Sequence, residues 1–225
     1  DITNTGTGTT TFKDNLLTNN LNVNAGTTNV EDNLTATTTT ISTGTANLNT
    51  ASGTTSSNIV FNNTGTANLN GDLTGDIKFA GNNATVNVSD GKGILGSVQT
   101  LASNNTGILN YKGDGFLDGT IGSNIYGIKE LNVNTNNQQN KDSNGVVLSQ
   151  GLFITRELFA DVIGLKNNAT LTLADNANIK NTGSDNLVIT TDAQNSGKLV
   201  FEGSSEVSGE VGSSGNNLSK LSPLL

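Results

Sequence analysis

The sequence predicts an all-β chain wound as a right-handed, single-stranded parallel β-helix, with about 20 residues per turn. Three observations predict it. Short apolar–polar alternations recur throughout the 225 residues, bounded by Gly, Asn, Asp or Ser. Internal repeats keep their glycines and their alternating apolar positions. Only 32% of residues are hydrophobic and 4% aromatic, too few for a thick globular core. Strands need residues at i, i+2 and i+4 to share one face, and alternation buries that face while wetting the other.

The strongest repeat aligns Gly107–Ser123 with Gly197–Ser213, 90 residues apart. Glycines fall together at 107/197, 113/203, 119/209 and 122/212. Apolar residues do so at Leu109/Leu199, Tyr111/Phe201, Leu117/Val207 and Ile121/Val211. A second repeat is literal: Thr43-Gly-Thr-Ala-Asn-Leu-Asn49 returns as Thr64-Gly-Thr-Ala-Asn-Leu-Asn70, a shift of 21. Asn82-Asn-Ala-Thr-Val-Asn-Val88 resembles Asn167-Asn-Ala-Thr-Leu-Thr-Leu173. Repeats at a fixed period mark a stacked architecture.

Strands are expected at Leu21–Val23, Ile59–Phe61, Ile77–Phe79, Thr85–Val88, Ile108–Tyr111, Leu131–Val133, Thr170–Leu173, Leu187–Ile189 and Leu199–Phe201. Such short strands do not stand as isolated hairpins. Stacked at about 4.8 Å per turn, roughly ten turns would make a coil roughly 50 Å long. The chain holds 37 Asn and 33 Thr. Asn suits left-handed turn positions, and stacked Asn side chains form ladders. One stretch departs from the pattern. Val146–Leu165 is richer in large apolar residues. Strands are favoured there, Leu158, Ala160 and Val162 fitting one, with a short helix or lateral loop as the rival. The polar run Asn134–Asn144 before it reads as a loop projecting from the coil. Residues 1–225 are thus read as a single fragment, with 134–165 as a possible irregular excursion. The chain begins and ends in mid-pattern and is expected to be a piece of a longer protein, with no signal peptide in view.

Charge and composition exclude several functions. Eleven basic against 19 acidic residues give a net charge of −8, which disfavours nucleic acid and anionic membranes as partners. There is no Cys and no His, so neither a disulfide framework nor the commonest catalytic base or transition-metal ligand exists. No run of 18 apolar residues is present to span a membrane as a helix.

Candidate chemistry is sparse. Asp72/Asp76 and Asp114/Asp118 sit in glycine-rich turns, and oxygen-rich turns can hold calcium. The second long repeat replaces Asp114 and Asp118 by Ser204 and Ser208, so plain turn residues are the favoured reading. Glu202, Glu206 and Glu210 resemble a carboxylate cluster for glycoside hydrolysis, yet they occupy outward, variable slots. Thr5/Thr7, Thr43/Thr45 and Thr64/Thr66 resemble ice-binding Thr-x-Thr pairs, but they do not recur on every turn. Strand-forming Thr on a wet face is the favoured reading. Gly91-Lys-Gly93 is too short for a phosphate loop, and sequons such as Asn87-Val-Ser89 are common by chance in so Asn-rich a chain. No catalytic, cofactor-binding or metal residue is assigned.

The unit Gly-x-Leu-x-Phe/Tyr-x-Gly-x-x-x-Val/Leu-x-Gly-x-Ile/Val-Gly, in Asn/Thr-rich, Cys-free surroundings, resembles the passenger repeats of rickettsial surface cell antigen autotransporters, the group of outer membrane proteins A and B. The resemblance covers most of the chain except about Asn134–Phe159. It implies a non-enzymatic passenger, exported through the periplasm, displayed at the outer membrane and joined in the full protein to a C-terminal β-barrel translocator. It further implies adhesion to and invasion of host cells through a host-surface protein, and a role as surface coat antigen. No cofactor is implied. The alternatives are a solenoid carbohydrate-active enzyme, which would need a groove lined by carboxylates and aromatic platforms, and a purely structural surface-layer stalk. With the long repeat read as architecture, activity is best sought around Asn134–Leu165.

Overall fold

The computed structural model describes residues 1–80, 83–101, 105–136, 140–141, 147–148, 151–182, 187–212 and 215–223. Every described strand that joins one turn to the next pairs in parallel, and no helix occurs among the described residues. The chain is a parallel β-solenoid, as its sequence predicts, with about nine turns where roughly ten were expected.

Three stacks of strands run the length of the coil. The first face contains Thr9–Phe12, Thr27–Val30, Thr45–Leu48, Thr66–Leu69, Thr85–Val88, Thr106–Tyr111, Ile128–Val133, the later part of Leu158–Leu165, Val188–Thr191 and Glu210–Val211. Each turn then passes through a second and a third face. In the early turns these two share one long strand, as in Leu16–Val23, Leu34–Ile41 and Thr55–Phe61. The shared strand turns a corner midway, where inward alternation breaks in Leu16–Val23 and register slips between Thr35 and Thr38. Later turns divide there: Leu73–Thr74 stacks under one half of Thr55–Phe61 and Ile77–Phe79 under the other. All nine expected strands are present. Leu158–Leu165 is a strand too, but it turns the corner from the third face to the first. Its Val162 therefore faces outward between Glu130 and Val188.

Inward positions form columns of apolar residues buried almost without exception. One first-face column reads Thr28, Ala46, Ala67, Val86, Leu109, Leu131, Ile163 and Ile189. Its small members occur where the third face carries Phe61 and Phe79, whose rings stack at 5.2 Å and 17°. Large against small keeps the interior filled at native density. Burying such side chains is worth about 1.5–3 kcal/mol each, before the entropy of ordering the chain.

Register along the first face advances 18, 18, 21, 19, 23, 22, 32, 26 and 22 residues per turn. The long step holds the excursion after Val133. Within it Asn140–Lys141 pairs with Val147–Leu148, the one antiparallel pair among the described strands. Residues 137–139, 142–146 and 149–150, including much of the expected loop, lie outside the described residues. The chain rejoins the coil at Gly151–Ile154, where the Gly151 N–H donates to Asp114 Oδ1 at 2.7 Å.

The repeats behave in two ways. The 21-residue repeat stacks directly, Thr45–Leu48 on Thr66–Leu69 residue for residue. The 90-residue repeat does not. Leu109 lies in the first face, but Leu199 lies in the second, beside Leu171 and Leu221. Val86 and Leu171, equivalent in the Asn-Asn-Ala-Thr repeat, differ in the same way. Each pair is separated by three turns and one face. The repeat therefore encodes a strand and its corner rather than a place in the turn. Gly107 (φ 81°) and Gly197 (φ 72°) take the same left-handed conformation as the second residue of Thr106–Tyr111 and of Ser196–Phe201, strands on different faces. The copies also end differently: Ile121 is fully buried, whereas its counterpart Val211, in the last strand of the first face, is exposed.

Candidate functional site

The outward side of the first face carries the longest side-chain hydrogen-bonded column among the described residues. Alternate residues of each strand point away from the core, so Thr11, Asn29, Asn47, Asn68, Asn87, Asn110 and Asn132 stand above one another. Each Asn donates its Nδ2–H to the turn before it: Asn29 to Thr11 Oγ1 at 3.2 Å, and the next five to Asn Oδ1 at 2.7, 2.6, 2.8, 2.9 and 2.9 Å. Two residues earlier in each strand a second outward column reads Thr9, Thr27, Thr45, Thr66 and Thr85, and continues as Ile108, Glu130 and Val162. The Thr pairs visible in the sequence are not its units. Thr43 and Thr64 fall before their strands, which begin at Thr45 and Thr66. The repeating unit is Thr-x-Asn.

The acidic candidates are distributed rather than gathered. Asp72 and Asp76 lie at opposite ends of Leu73–Thr74. Asp72 Oδ1 accepts the Gly93 N–H at 2.9 Å, and Asp76 Oδ1 accepts the Ser97 N–H at 2.9 Å. Asp114 Oδ1 accepts from Gly151, while Asp118 Oδ1 accepts from Thr155 Oγ1 at 2.7 Å and lies 3.7 Å from Arg156 Nε. Each carboxylate ties its corner to the next turn, a job Asn58 and Asn178 do at equivalent corners through Asp76 N and Glu206 N. No group of three acidic residues suited to a metal ion occurs among the described residues. Glu202 follows the second-face strand, Glu206 stands at the corner beyond it and Glu210 is in the first face, so the three spread around the turn.

Glycine governs the corner between the second and third faces. Gly75 (φ 144°) and Gly96 (φ 154°) stack there, and a Cβ on Gly96 would stand 2.2 Å from the Gly75 carbonyl oxygen. Only a residue without a side chain admits that approach.

The surface after the excursion carries charges of both signs. An open groove borders the third face along Thr120, Ser123, Glu157, Phe159 and Lys180, and a neighbouring groove adds Thr155, Arg156 and Asp175. Lys180 is paired with Glu157. These ion pairs are solvent-exposed and contribute little to stability. Both grooves are shallow and offer charges of both signs with hydroxyls and amides, suited to a polar surface and not to enclosing a small substrate. Turns of different length bring these residues together, so sequence spacing carries no sign of them. Tyr111 is buried, donates to the Phe116 carbonyl at 3.0 Å and has its phenol pKa pushed far up by burial. Phe201, its repeat counterpart, is half-buried.

Comparison with protein-family models, with curated proteins and with solved structures finds no match to this chain.

Proposed function

We propose that the chain is a non-enzymatic passenger segment of an exported autotransporter of the rickettsial surface cell antigen kind, displayed on the outer membrane for adhesion to host cells. The observation that supports it most is the run of parallel strands, stacked turn on turn through the described residues. Stacked repeats make a stiff, extended scaffold whose surface is open along its whole length. Export suits a Cys-free chain whose contacts run mainly between neighbouring turns. The carboxylates named above serve corners or solvent, which favours display over hydrolysis. The charged grooves around Glu157 and the excursion supply the contact surface with the host-surface protein.

The reading is tested with the purified 225-residue chain on cultured host cells. Saturable binding, competed by unlabelled chain, is expected. Binding that does not saturate contradicts the adhesive role and leaves a structural coat as the better account.

A further inference from the structure

We propose that the paired Thr and Asn columns of the first face bind ice. Over five turns the outward residues form a two-dimensional array, regular along both the coil and the strand. Neighbouring strands stand about 4.8 Å apart, and alternate residues of a strand are about 6.7 Å apart. The oxygens on a prism face of ice repeat on a rectangular net of nearly these dimensions.

Three features fit a crystal surface. The first is rigidity: the Asn side chains from Asn29 to Asn87 are locked to one another at 2.6–2.8 Å, so their outward N–H and carbonyl positions are fixed before any ligand arrives. The second is availability. The hydroxyls of Thr27, Thr45, Thr66 and Thr85 take no partner from the described residues. The third is neutrality. No outward residue of these five strands is charged, although the chain carries −8 overall. Charges on these turns, such as Glu31, Asp72 and Lys78, belong to corners or to the third face.

The regularity in two directions separates ice from a polymer. A glycan strand repeats along one direction and would need only one column; this face also lacks an outward aromatic platform over these turns. The array is bounded as well. Beyond Thr85 its Thr column becomes Ile108, Glu130 and Val162.

The test uses the 225-residue chain in a nanolitre osmometer. The chain is expected to facet ice crystals and to hold them unchanged over a measurable supercooling. A double variant, Thr45→Tyr with Thr66→Tyr, places two bulky strand formers in the middle of the array without touching the core. Its ice activity is expected to fall several-fold. Ser56→Tyr puts the same bulk on the exposed second face and is expected to keep full activity, with circular dichroism confirming that both variants fold. Round, freely growing crystals with the unmodified chain overturn the proposal. So does a folded double variant with undiminished activity, or an equal loss in Ser56→Tyr.

Discussion

Asn132 stands directly beneath Gly164, and the Asn column ends between them. Asn132 donates to Asn110 below at 2.9 Å, but its own Oδ1 is buried with no partner among the described residues. Every amide in the column points the same way, so a lone acceptor at this end is a consequence of the ladder's polarity. The Oδ1 occupies space that a side chain at 164 would claim: a Cβ there would lie 2.4 Å from it and 2.9 Å from Lys166 Cε.

Gly164→Ala must displace the Asn132 amide and the Lys166 chain, both side-chain ends able to swing aside, so it is expected to destabilise the coil by about 1 kcal/mol, the low end of the overpacking range. Gly8→Ala meets nothing within 4 Å. It should be neutral or stabilise by about 0.4–1 kcal/mol through the unfolded chain. Urea melts of the two variants check the contrast; equal effects would remove the role assigned to Gly164.

The middle of the column should be costlier to break than its surroundings. Asn68→Ala removes two hydrogen bonds, at 2.6 and 2.8 Å. A loss of about 1–3 kcal/mol is expected from two bonds of ordinary net strength. Asn22, half-buried and with its side chain bonded only to Thr3 Oγ1 at 3.2 Å, gives a useful reference. Asn22→Ala should stay within about 0.5 kcal/mol of the parent.

At the second corner, Gly96→Ala should cost more than Gly91→Ala. Both glycines have positive φ, but a Cβ on Gly91 meets nothing, whereas one on Gly96 meets a carbonyl at 2.2 Å. Backbone strain alone predicts about 1–3 kcal/mol for Gly91→Ala. The steric term on Gly96 should exceed that and is read as a larger drop in melting temperature.

Tyr111 supplies a pH signature. Burial raises its folded pKa above the ordinary value of about 10. The neutral phenol is the form the fold favours, so this contribution to stability is intact below about pH 10 and is lost as pH rises further. Absorbance of tyrosinate during alkaline titration should show no signal from Tyr111 until circular dichroism reports unfolding. In Tyr111→Phe the late step should vanish.

Much of the architecture was legible because stacking makes few demands, each with a visible residue. Alternation marks inward positions, as in Thr85–Val88, and glycine marks corners, as at Gly96. Stacking order was less legible. The 90-residue repeat looks like a whole number of turns, yet Leu109 and Leu199 lie on different faces, because each face requires the same strand and corner. The Thr-x-Asn array was hidden for a related reason. Thr43-Gly-Thr45 invites pairing of its two threonines, while the strand begins only at Thr45 and pairs it with Asn47. Roles of Asp114 and Asp118 depend on Gly151 and Thr155, which return to them across the excursion, and no local pattern foretells that contact.

Distance along the first face tests the coil most directly. The chain has no Cys, so spin labels at Thr27→Cys and Val188→Cys report on one pair of sites without background. Both positions point outward in the same column, seven turns apart. Pulsed dipolar spectroscopy should give one narrow distribution near 34 Å, seven steps of about 4.8 Å. A broad distribution, or one centred well away from that value, would contradict a single in-register solenoid.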